Sequence, residues 1–157
     1  MKIKALLAAA LVLSTSAWAE SWSVNKSGFA IKQSDTTMEY MGVNECANML
    51  MFAAPAADNV VDGTTGTVNP TMRIDTKEPW QGTLNVSVND RIVIVMASVK
   101  PGLIAELKSG QTLRIKWADG VITRYDLAGL TAILKTITCD QEYFEKDKSN
   151  SDADYFL

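Results

Sequence analysis

Short alternating runs of apolar and polar residues, rather than long helical stripes, organise most of this chain. Trp22, Ser23 and Val24, then Phe29, Ala30 and Ile31, alternate as half-buried strands do, and Lys26, Ser27 and Gly28 supply a turn between them. Residues 38–43 predict a further strand. The run CANMLMFAA, residues 46–54, is apolar on both faces and stops at Pro55. A buried strand and a short helix both fit it, and a strand is preferred. Residues 56–69, with Asp62 before Gly63 and Thr65 before Gly66, read as a long surface loop. Residues 71–75 alternate again until Pro79 interrupts the pattern.

The middle of the chain is the most readable. Leu84, Val86 and Val88 alternate with Asn85 and Ser87, and residues 91–99 follow Asn89 and Asp90, which predicts a β-hairpin. Residues 92–95 are apolar at every position, the pattern of a central strand covered on both faces. Pro101 at a first helical position and Gly110 just past the end frame one or two helical turns over residues 101–108.

A second hairpin joins residues 113–117 to 121–125. A two-residue turn at Asp119 and Gly120 would set Ile115 opposite Arg124 and mix apolar with charged groups on one face. A three-residue loop, Ala118, Asp119 and Gly120, with Gly120 in the left-handed conformation, pairs Trp117 with Val121, Ile115 with Thr123 and Leu113 with Tyr125. That register segregates the faces and is preferred. It places Arg114, Lys116 and Arg124 together on the outer face near Asp126, a candidate anion-binding or partner-binding patch whose plainer reading is a solvated strand face.

The last element begins at Asp126 as N-cap and carries Leu127, Leu130, Ile133, Leu134 and Ile137 at helical spacing, with Gly129 easing its approach to a sheet. The predicted fold is α+β: mainly an antiparallel β-sheet or sandwich with this C-terminal helix packed on it.

The chain ends change the picture of where such a domain works. Lys2 and Lys4 precede an apolar run to about Leu13, then a polar stretch and the small-residue pattern Ala17, Trp18, Ala19. This is the pattern of a secretory signal peptide over residues 1–19, cleaved after Ala19; the run is much shorter than the roughly 20 residues of a membrane-spanning helix. Residues 20–139 then suit one globular domain, and residues 140–157, with six acids against Lys146 and Lys148, read as an acidic flexible tail. A periplasmic location is expected, secretion being the alternative. The body is nearly neutral without the tail, which argues against nucleic acid, whose phosphates need clustered Lys and Arg.

Candidate chemistry is sparse. The chain has no histidine, which removes Ser-His and Cys-His nucleophiles and histidine zinc sites together. The segment from Asp62 to Thr67 lacks the spacing and the Lys of a phosphate loop, and Lys108 beside Ser109 reads as a helix end rather than a dyad. The acids Asp35, Glu39, Glu45 and Glu78 sit among turn-like residues with no visible reason for a shifted pKa. Met38, Met41, Met49 and Met51 surround Cys46, and thioethers with a thiolate are soft ligands for Cu(I); core filling explains the same methionines. No cofactor is expected.

Two cysteines in an exported protein of this size most simply form one disulfide, Cys46 to Cys139. On an unbroken helix Cys139 would project about 180° from the apolar stripe, at 100° per residue. The β-branched run Thr136, Ile137, Thr138 suggests that the helix ends first, between Lys135 and Thr138, and lets Cys139 turn back.

The hairpin followed by Tyr125, Leu127, Gly129 and Ala132 and then Cys139 resembles small proteobacterial periplasmic proteins, including some grouped with invasion-associated locus B proteins, over residues 107–139. The resemblance implies a secreted, disulfide-stapled, β-rich domain without established catalysis, and carries over no functional residue. The expected function is a non-enzymatic periplasmic binding protein, in one version an inhibitor or immunity-type protein acting on another envelope or secreted protein. The alternatives are Cu(I) binding through residues 38–51 and a histidine-free enzyme.

Overall fold

Alternation of side chains, with turn residues between runs, gives eleven strands and two short helices across residues 21–139, the part of the chain described by the computed structural model. The expected signal peptide and acidic tail lie outside the described residues. In chain order the elements are β1 (Ser23–Val24), β2 (Ala30–Gln33), β3 (Tyr40–Asn44), β4 (Met49–Pro55), β5 (Thr65–Val68), β6 (Thr71–Ile74) and β7 (Trp80–Gln81). They continue with β8 (Leu84–Asn89), β9 (Ile92–Ser98), α1 (Pro101–Ser109), β10 (Thr112–Lys116), β11 (Ile122–Asp126) and α2 (Leu130–Leu134). The larger sheet runs β1-β2-β3-β4-β9-β8-β5 and the smaller β11-β10-β6-β7, with every pairing antiparallel.

The two sheets face each other across one core. Met41, Val43, Leu50, Phe52 and Val95 enter it from the larger sheet, and Met72, Ile74, Leu113, Ile115 and Tyr125 from the smaller. Phe52 meets Trp117 edge-on at a ring separation of 5.8 Å and Tyr125 at 6.0 Å, tying the sheets together near mid-strand.

The β10–β11 hairpin has the preferred register. Ile115 lies opposite Thr123 and Leu113 opposite Tyr125, the Trp117 N–H donates to the Val121 carbonyl, and Gly120 has φ +86°. The β8–β9 hairpin turns one residue later than Asn89 and Asp90 suggest: Asn89 pairs with Ile92, and Asp90 and Arg91 form the loop with φ of 50° and 64°. Both central residues at positive φ match the right-handed twist of the strands. β9 is central, between β4 and β8, but only one of its faces is well covered. Val93, Val95 and Ala97 point into the core, whereas Ile94 and Met96 are half-buried and Ile92 is exposed on the outer face.

Residues 56–69 are not all loop. Thr65–Val68 forms edge strand β5 against β8, with Gly66 and Val68 on the inward side. Gly66 in an inward position hides the alternation that marks other strands. The remaining loop is held by Arg91, whose backbone N–H donates to Asp62 and whose guanidinium donates to the carbonyls of Val60 and Ala57.

Helices close one end of the sandwich. Pro101 starts α1 at N1, and Gly110 caps it while sitting so close to Ile74 that a Cβ would lie 2.6 Å from that side chain. α2 is shorter than the sequence suggests. Asp126 ends β11 instead of capping a helix; its carboxylate accepts from the Ala128 N–H, and Gly129 at φ +87° turns the chain into a single helical turn. Positive φ therefore explains Gly129 better than close approach along a helix, although Trp22 does pack 3.4 Å from its missing Cβ. The helix stops at Leu134, before the expected window, and Cys139 reaches Cys46 in the β3–β4 turn with a Cα separation of 5.4 Å. Trp22 donates to the Ala128 carbonyl, Lys32 to the Asp126 carbonyl and Thr131 to the Lys108 carbonyl, fastening this end to β2 and α1.

Candidate functional site

At the opposite end the sheets separate. The inward faces of β4, β9, β8 and β5 supply Phe52, Ala54, Val93, Val95, Val86 and Val68, and across from them the β10–β11 hairpin supplies Trp117, Val121 and Thr123. The loop before β3 completes the wall with Thr37, Met38 and Glu39. These side chains leave an open cleft of about 700 Å³, within the range of small-ligand sites. Alternating strands create it because Ala54, Val86 and Val93 are small residues at inward positions, and no helix of the described residues lies above them to fill the space.

One carboxylate is set into this apolar wall. Glu39 is buried to 9% exposure, and its parity with Met41 and Val43 directs it inward. Its Oε1 accepts from the Tyr125 hydroxyl at 2.7 Å and its Oε2 from the Thr123 hydroxyl at 3.2 Å. Thr123 in turn accepts from the Trp117 indole N–H at 3.0 Å, so three residues of one hairpin aim donors, directly or in relay, at one carboxyl. Burial pushes the Glu39 pKa above its ordinary 4.5, while hydrogen bonds from Tyr125, Thr123 and Trp117 pull it the other way. Tyr125 is raised well above the usual phenol range, first by burial and then by the facing Glu39 charge, and stays a neutral donor.

The loop that carries Glu39 also seals the edge of the smaller sheet. Asp35 N–H and Ser34 Oγ both donate to the Arg124 carbonyl, and the Arg124 N–H donates to Thr36 Oγ1. A segment entering β3 of one sheet thus satisfies the outer edge of β11 in the other.

The other candidate residues fall elsewhere. Arg114, Lys116 and Arg124 do share the outer face of the smaller sheet, and Arg73 joins them: Arg124, Arg114 and Arg73 stand opposite one another on three adjacent strands. Arg73 bonds the carbonyls of Lys77 and Thr76, and Arg124 sits 4.0 Å from Asp35. The four methionines are not brought together. Met41 is in the core, Met49 and Met51 lie on the outer face of β4, and exposed Met38 stands at the cleft, while the disulfide occupies the Cys46 sulfur. Glu39 is the site residue that sequence reasoning missed. The available signal was its parity, two residues before Met41 and four before Val43, on the face that the core residues use.

Compared with known proteins, the chain matches no protein-family model, no curated protein and no solved structure. No helix of the described residues is long and apolar enough to cross a membrane.

Proposed function

We propose that the protein is an exported, non-enzymatic binding protein of the cell envelope that holds the apolar body of a small amphiphilic molecule between its two sheets. The observation that carries this reading is the cleft itself: an opening of about 700 Å³ walled by Phe52, Val86, Val95 and Trp117, at the end of the sandwich that neither helix of the described residues covers. Leaving that much apolar surface facing water costs roughly 25 cal/mol for each Å², a cost that a ligand recovers. The signal-peptide pattern and the Cys46–Cys139 bridge support export. The bonding of Glu39 supports binding over catalysis. Its oxygens accept from Tyr125 and Thr123, which fixes it as an acceptor, and the Thr123 hydroxyl is engaged by both Glu39 and Trp117 instead of being poised as a nucleophile.

The test uses a neutral apolar fluorophore, N-phenyl-1-naphthylamine, with the full mature chain. It should brighten on binding and quench Trp117, and Ala54→Trp, which fills the cleft, should weaken binding at least about tenfold. Equal binding by that variant would move the site elsewhere; no binding by the wild type would remove the reading.

A further inference from the structure

We infer that the ligand of the inter-sheet cleft is a cationic amphiphile, an alkyl or aryl chain ending in an ammonium group whose charge is met by Glu39. This rests on the reading of the cleft as a ligand site and adds the chemistry of the head group. Glu39 and Asp119 are the ionisable side chains in the cleft wall, and both are acids; among the described residues no Lys or Arg lines it. The basic residues of the β10–β11 hairpin, Arg114, Lys116 and Arg124, alternate onto the opposite face of the sheet. An anionic head group, such as a fatty carboxylate or a phosphate, would therefore enter an apolar cleft with like charge at its floor and no counter-charge.

The local bonding favours the same conclusion. Tyr125 and Thr123 each take one position on a different oxygen of Glu39, and a carboxylate offers about four acceptor positions, so acceptor capacity remains for an ammonium N–H. Both protein groups already donate, which holds Glu39 in place without adding a proton to the site. Phe52 and Trp117 present aromatic surface beside it, where a cation is further stabilised. Such a bond is charge-assisted on both sides, the strongest class of hydrogen bond available here.

Decylamine, decanol and decanoate, used as monomers at neutral pH, share a chain and differ in the head group. Isothermal titration of the full mature chain should give decylamine an affinity at least about tenfold above decanol, with decanoate weakest of the three. In Glu39→Gln the ratio of decylamine to decanol should fall to about one, a ratio that does not depend on how much of the variant is folded. Equal binding of amine and alcohol by the wild type would overturn the cation preference while leaving the cleft as an apolar site. Preferred binding of decanoate would overturn it as well. Failure of all three probes to bind would instead count against the cleft as a ligand site.

Discussion

The two ends of this sandwich are built from the same strands and behave differently. At the helical end, α1, α2, Trp22 and the disulfide cover the strand ends, and Leu107, Leu113 and Leu130 are fully buried. At the other end the same sheets carry Ala54, Val86 and Val93 with no cover from the described residues, and a cleft stands open. What separates core from cleft here is not the strand pattern, which is apolar inward at both ends. It is whether a later part of the chain returns to fill the space.

Removing the staple should have the largest effect on this contrast. The bridge spans 93 residues and joins the helical end directly. The double variant Cys46→Ser, Cys139→Ser should lose about 4 to 5 kcal/mol of stability in urea denaturation. Because the bridge lies away from the cleft, the folded fraction should still bind the naphthylamine probe; loss of both together would mean that the two ends are not separable.

Truncating one side chain at each end comes next. Leu107→Ala should cost about 2 to 5 kcal/mol, since it opens a void in a closed core. Val86→Ala, at the wall of a space that already exists, should cost only about 1 kcal/mol. Equal losses in denaturation midpoints would erase the distinction between closed and open ends.

The smallest effect concerns pH. Glu39 in the folded chain holds its proton more tightly than its ordinary 4.5 because burial disfavours the charge. Its contribution to stability is therefore greatest below that value and is lost as pH rises through the raised folded pKa. Urea midpoints of the wild type compared with Glu39→Gln should diverge over this window, with the variant free of that decline. Parallel curves would mean that the Glu39 end is as solvated as the surface.

Legibility in the sequence followed how local the deciding contacts are. The β10–β11 register could be read because Trp117, Gly120 and Val121 decide it within a few residues. The disulfide was legible from cysteine count alone. β5 was obscured because its inward positions are Gly66 and Val68, and its pairing with β8 is what makes it a strand. The start of α2 was misplaced because Asp126, a good N-cap by type, is used as the last residue of β11 and in a side-chain turn. Glu39 was hidden for the most physical reason: its partners Thr123 and Tyr125 are 84 and 86 residues away, so nothing beside it in the chain announces its burial.

The seal made by Ser34, Asp35 and Thr36 on Arg124 also gives the sandwich a spine. The two sheets are stitched where Glu39 enters, and spreading them there would break three hydrogen bonds at once. On the β5–β8 side the chain itself joins the sheets: β5 runs into β6 through residues 69–70 and β7 into β8 through residues 82–83, and the Gly82 N–H donates to the Pro70 carbonyl between these two links. With both sides fastened, any guest of the proposed kind has to fit the width already open between the sheets, and Glu39, held at the stitched side, is a fixed point within it.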